Sequence, residues 1–363
     1  MGFRITRAER PQTERWRDVP VQPRGATRLG ISFRPLQAEG LGLEPRAALA
    51  ALLEHTYELI RLAALWDRME PGPGAFDPSH LDWQVEAAER AGKQLILAVG
   101  AVKNFGYPEF FVPKHRLRAP LPEGTLVTEA SHPELLEAAL AFVAGVVERY
   151  GGHHSVVAWQ VEHEAVDPLG IEHSWRLATG FVKREMAEVR RLDPRRPILL
   201  NGFLPMSAPV AAQQWWRTRD QGDSLSLAEE AAEIIGVDVY PCHALGASGG
   251  LTAYLDAPEH AWRERARRVV KRAAARGRRL MISEGQAEPW EAVTTPPSPA
   301  GKAMASCPPE RVIENYNRCL VLARESGGAL DAYLFWGAEY WLLRHQAGDG
   351  DYLGAFQRIL ASD

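Results

Sequence analysis

Short apolar runs recur along the chain, each bounded by turn residues, and between them lie longer stretches whose apolar positions return every three or four residues. The runs predict strands at residues 29–33, 59–63, 94–99, 156–161, 198–201, 235–240, 280–283 and 332–336. They are apolar without alternation, as strands buried on both faces should be. The amphipathic stretches predict helices over residues 45–55, 78–91, 133–150, 172–192, 258–276 and 309–326. Several open with Pro in the first turn, and two stop before Gly92 and Gly277, the expected asymmetry of helix ends. Strand–helix alternation repeated eight times predicts an α/β fold, a parallel sheet closed into a single (β/α)8 TIM barrel. A doubly wound open sheet is the competing architecture, but residues 29–40 offer no GxGxxG phosphate loop. The polar, Pro-containing residues 1–27 read as an N-terminal lead-in and residues 28–363 as the barrel. At about 150 residues per domain the length permits two domains, yet the eight units use nearly all of it. The Pro-rich stretch 294–299 follows a strand and is expected to form a loop over the barrel mouth.

Composition narrows the function. A net charge of −4 argues against a dedicated nucleic-acid binder. No run approaches the 18 or so apolar residues of a membrane span. The first twenty residues carry seven Arg or Glu side chains before any apolar run, unlike a signal peptide. Cys242, Cys307 and Cys319 are odd in number and form no CxxC pair, which favours a reducing compartment. A cytoplasmic location is therefore expected. The basic run over 263–279 alternates with Ala and Val at helical spacing and reads as a solvated helix face. The 11 Trp residues equal Phe in number, and indole faces suit sugar rings as well as cores.

In a barrel of this kind, side chains at the C-terminal ends of strands build the site. The fourth predicted strand runs into Glu162, His163 and Glu164, and the seventh into Glu284 and Gln286. Two carboxylates at different strand mouths suit glycosidic cleavage: one gives a proton to the leaving oxygen, the other attacks carbon or activates water. A structural ion pair with one of the many Arg residues explains such carboxylates equally well.

The surrounding residues carry a resemblance. Ile60, Arg61, Leu62, Trp66, Glu70, Pro71, Gly74, Phe76, Asp77, Leu81 and Asp82 follow the pattern around a second strand in clan A glycoside hydrolases. Gln160 to Glu164 resembles the fourth-strand segment of these retaining enzymes, which include β-galactosidases and cellulase-like enzymes. Residues 235–240, then Ile282, Ser283 and Glu284, then Leu334, Phe335, Trp336 and Gly337 are similar to their sixth, seventh and eighth strands. The resemblance spans roughly residues 29–341. It implies Glu164 as general acid/base and Glu284 as nucleophile. It also implies Tyr240 as a hydroxyl on the nucleophile, Arg61 as a nearby cation, and Trp336 as the aromatic floor beneath the sugar. A retaining pair should hold its carboxyl groups about 5–5.5 Å apart. The family's usual Asn before the acid/base is here His163, whose imidazole can still donate to a sugar hydroxyl.

Further candidates line the loops. Asn104, Phe105 and Tyr107 follow the third strand; Gln286, Glu288 and Trp290 follow the seventh; Tyr340 and Trp341 follow the eighth. All are candidate sugar contacts. Trp66 stands either against substrate or, with Glu70, as a brace of the second loop. Glu162, two residues before Glu164, would share its side on a strand, and is expected to make a structural hydrogen bond. Trp215 and Trp216, in or beside a helix, are expected in the core.

Three patterns lead elsewhere. Gly246, Ala247, Ser248, Gly249 and Gly250 match GxSxG, but a nucleophile elbow must turn from strand into helix. Glu162, His163 and Glu164 with His153, His154 and His173 match neither HExxH nor the spacing of metal-dependent barrels. His243, His260 and His345 are expected to be solvated or satisfied by backbone groups. The expected function is a retaining β-glycoside hydrolase acting on a small oligosaccharide or glycoside. It needs no cofactor or metal, and no nucleic-acid or membrane partner. The competing readings are a catalytically silent carbohydrate-binding barrel and a metal-dependent barrel hydrolase. Nothing in the sequence marks an oligomeric state.

Overall fold

The computed structural model describes residues 2–7, 9–11, 13–106, 109–167, 175–291 and 302–362. Tyr107, His173 and the Pro-rich stretch 294–299 lie outside the described residues. The eight barrel strands are β1 (Arg28–Ser32), β2 (Leu59–Ala63), β3 (Gln94–Ala98), β4 (Val156–Gln160), β5 (Ile198–Phe203), β6 (Ile234–Val239), β7 (Arg279–Gln286) and β8 (Ala332–Trp336). They close into a parallel (β/α)8 barrel in chain order. The expected fold class is the observed one. The strands are buried because apolar side chains fill both faces: all five residues of β2 and all five of β8 are buried.

The chain divides into two compact units, one of residues 1–58, 204–210 and 238–363, the other of 59–203 and 211–237. In the first, β7, β8 and β1 pair in parallel. The register of β7 against β8 shifts between Ile282 and Gly285, so Ser283 and Glu284 lie on a bulge. Bulges re-aim side chains and gather next to active sites. Helices Pro309–Glu325 and Asp351–Leu360 cover an aromatic core in which Phe335 meets Tyr333, Trp341 and Phe356. Trp341 is fully buried there and donates to the carbonyl of Ala287, so it is core rather than the sugar platform expected.

The lead-in is more structured than its polarity suggests. Gly2–Thr6 joins Cys242–Ser248 and Leu251–Asp256 in a three-stranded antiparallel sheet. Ser248 pairs with Leu251, leaving a two-residue turn of Gly249 and Gly250, both at positive φ (58° and 77°). Such turns favour glycine because both central residues are left-handed. The GxSxG match is thus the end of a β-hairpin, and no helix follows the serine.

In the second unit, β2, β3, β4 and β5 pair in parallel. Helices Ser79–Arg90, Pro133–Tyr150 and Thr179–Leu192 follow β2, β3 and β4. The last starts later than the predicted 172, because Arg176–Leu177 pairs as a short strand with Leu126–Val127. Trp215 and Trp216, on helix Ala208–Thr218, correct the expectation of core placement: they are 65% and 61% exposed.

Candidate active site

Glu284 is buried near the C-terminal end of β7 and accepts a short hydrogen bond from the Tyr240 hydroxyl. Its neighbour Ser283 donates to Asp238 at 2.6 Å. The Tyr240 ring stacks on Trp290, with centroids 4.5 Å apart, and His243 meets the same indole at 6.0 Å. Burial pulls His243 down to about 4, so it is neutral at pH 7. The Trp290 backbone N–H donates to Ser306, which is fixed in turn by Glu291. Trp290 remains 41% exposed, and an indole held at one face with an open remainder can stack on a sugar.

Two other candidates in this unit have structural partners. Gln286 uses both ends of its amide on the backbone of Cys242, accepting at 3.2 Å and donating at 2.8 Å. Glu288 places both oxygens on the Arg34 guanidinium, at 2.8 and 3.0 Å. Arg34 also binds Glu339 and lies 4.2 Å from the centre of the Trp336 ring. Burial works against the charge on Arg34, but Glu288 and Glu339 outweigh it and raise its pKa. Arg34, which sequence reasoning missed, therefore joins Glu288 and Glu339 beside the ring of the expected aromatic floor. The only signal for it was a charge immediately after an apolar strand.

In the other unit, β4 ends at Gln160, one residue before the predicted 161. Glu162 and Glu164 have φ of 58° and 41°, so the strand alternation expected to align them does not apply. Glu162 instead turns to the loop after β3, accepting from the amides of Val102 and Lys103 at 2.9 and 2.5 Å. These are the structural hydrogen bonds expected of it. The Glu164 amide donates to Asn201 on β5 at 3.3 Å. Asn201 Nδ2 donates to His163 Nδ1 at 2.9 Å, which leaves the ring proton on Nε2. Asn201 also accepts from Gln160, which accepts from the buried Arg61. Arg61 lies over the Phe105 ring at 4.0 Å. Asn201 was absent from the sequence reading, although a polar residue at the end of an apolar strand is the signal that singled out Glu284.

Asn104 and Trp66 are enclosed. Asn104 donates to the carbonyls of Ala64 and Ala98 and accepts from the Phe105 amide, so its amide staples the third loop. Trp66 is fully buried, stacks on Phe142 and donates to Glu70 at 2.6 Å. Its surroundings are those of the brace rather than of a sugar platform. His153, from the His and Glu pattern weighed as a metal site, bonds to Glu89 beside the start of β4.

Residues 47–181 match a family model described as beta-galactosidase. No curated protein matches the chain. Its fold is similar to a Thermobacillus composti GH10 xylanase, with TM-score 0.53 and 17% identity over 93% of this chain and 97% of that one. Xylanase XynB from Paenibacillus barcinonensis aligns at TM-score 0.54 and 16% identity, over 93% and 96%. An exo-beta-1,4-mannosidase from Opitutaceae bacterium strain TAV5 aligns at TM-score 0.57 and 15% identity, over 92% and 59%. The resemblance to clan A glycoside hydrolases is thus joined by a family match over residues 47–181 and by a shared barrel fold.

Proposed function

We propose that the chain is a retaining β-glycosidase in which residues 28–363 act as one catalytic barrel, Glu284 is the nucleophile and Glu164 the acid/base. Glu284 attacks the anomeric carbon while Glu164 gives its proton to the leaving oxygen. Glu164, now a carboxylate, takes a proton from water or a sugar hydroxyl, whose oxygen displaces Glu284 and frees the sugar. The observation that carries the reading is the Glu284 site. Its carboxylate lies on a bulge at a strand end and holds a tyrosine hydroxyl, and the ring of that tyrosine stacks on a part-exposed indole. A hydroxyl donating to a carboxylate favours its ionised form, as a nucleophile requires.

The substrate class is a small β-linked oligosaccharide or glycoside, with a β-galactoside the first to try, given the family match. The fold relatives include one bound to Manb1-4GlcNAc and one bound to xylotriose, so a panel should include β-mannosides and β-xylosides. The chemistry runs without a metal or cofactor. Among the described residues no helix is long and apolar enough to cross a membrane, and one fold relative is an intracellular xylanase. Both accord with a cytoplasmic location. The test is Glu284→Gln against aryl β-glycosides of several sugars. Turnover should collapse, on the order of 10⁴-fold or more, while ligand binding persists. Wild-type protein that cleaves no sugar of the panel would instead support the silent binding barrel.

A further inference from the structure

We propose that Lys103 and Glu162, with Glu185 behind them, are positioning residues that set the orientation of Glu164; this rests on the reading of Glu164 as the acid/base. Left-handed backbone at a non-glycine residue is disfavoured and persists only where surroundings enforce it. Glu162 and Glu164 both adopt it, separated by one residue. The enforcing contacts come from the loop after β3. The Glu162 carboxylate takes the amides of Val102 and Lys103, and the Lys103 ammonium returns to the carbonyls of Glu164 and Asp167 at 2.6 and 3.0 Å.

Two further observations make this a single locked body. The loop must approach closely: a Cβ on Gly100 would lie 2.0 Å from the Glu162 amide nitrogen, so only glycine fits. At the other end, the Ser224 hydroxyl accepts the amides of Val166 and Asp167 at 3.0 and 3.2 Å. The turn from 162 to 167 is therefore held at both ends and at the Glu164 carbonyl. Lys103, Glu162 and Glu185 are all buried. Burial raises both carboxyls, and the charge of Glu162 adds to the rise at Glu185.

A misplaced acid/base has a kinetic signature that general damage lacks. Substrates with poor leaving groups need the proton, whereas dinitrophenolate leaves without it. The experiment compares kcat/KM for methyl and 2,4-dinitrophenyl β-D-galactopyranosides, or the same pair of whichever sugar wild type turns over. Lys103→Met and Glu162→Gln are measured beside Glu164→Ala, with azide added in a second series. Expected for the two positioning variants is about a 10²-fold loss on the methyl glycoside and less than about 3-fold on the dinitrophenyl one. Azide should be captured as the β-glycosyl azide, and Glu162→Asp should recover part of the loss. Equal loss on both substrates, or no loss on either, overturns the proposal. If Lys103→Met does not fold, Glu162→Gln, which keeps the shape, decides alone. A Glu164→Ala variant without the split overturns the acid/base reading itself. A split there, but none in the positioning variants, overturns only this inference.

Discussion

The strand ends that carry Glu284 and Glu164 are built in opposite ways. Glu284 stays within the β7–β8 ladder, displaced by a bulge, and its carboxylate is met by one phenol backed by an aromatic stack. Glu164 has left its strand and lies on a left-handed turn held by buried charges and amides. The first arrangement fixes a carboxylate by its own hydrogen bond. The second fixes a backbone, through the Glu164 carbonyl and amide. A nucleophile must be ionised and held in place, whereas an acid/base must change protonation twice per cycle.

The comparison breaks most visibly at Tyr240. Tyr240→Phe removes the hydroxyl from Glu284 while keeping the ring on Trp290. A loss of about 10²-fold in kcat is expected, comparable to removing one preorganised donor at a reacting charge. A variant with wild-type kcat would show that Glu284 does not depend on that donor. At the other end, Asn201→Ala takes one partner each from His163 and the Glu164 amide. Steady-state kinetics should show a smaller loss, and denaturant melts a destabilisation of about 1–3 kcal/mol. Activity lost without stability would mean that Asn201 touches substrate instead.

The smallest effect is in pH dependence. Glu185 is raised in the fold, so its stabilising contribution is complete below the unfolded carboxyl range and fades as pH rises through the folded value. The groups facing it and its partner are Glu162 and Lys103, with Glu109, Glu164 and Asp167 around the ammonium, and these are common to both proteins compared. Thermal midpoints of wild type should therefore decline with rising pH more steeply than those of Glu185→Gln, whose amide cannot ionise. Parallel profiles would show Glu185 already ionised, and the two strand ends less different than described.

Much of this was legible in the residues. Apolar runs bounded by turns gave β2 and β8 at their observed ends, since strands buried on both faces leave no ambiguity of pattern. Glu284 and Tyr240 could be paired from resemblance alone, and the structure joins them. What stayed hidden depended on contacts distant in sequence. Arg34 finds Glu288 and Glu339 some 254 and 305 residues away, and nothing local distinguishes it from the other arginines. The strand sense of Glu162 and Glu164 failed because Gly100 and Lys103, from another loop, impose a turn that local propensity disfavours. Trp215 and Trp216 misled for a simpler reason: large apolar side chains are mostly buried, and these two are not.

The most direct test of the central claim is trapping with activated 2-deoxy-2-fluoro-β-glycosides of different sugars, followed by peptide mass mapping. The account predicts time-dependent inactivation with one sugar attached to Glu284, and fastest inactivation by the sugar that wild type hydrolyses best. A label on any other carboxylate, or turnover with inversion at the anomeric carbon and no label, would contradict it.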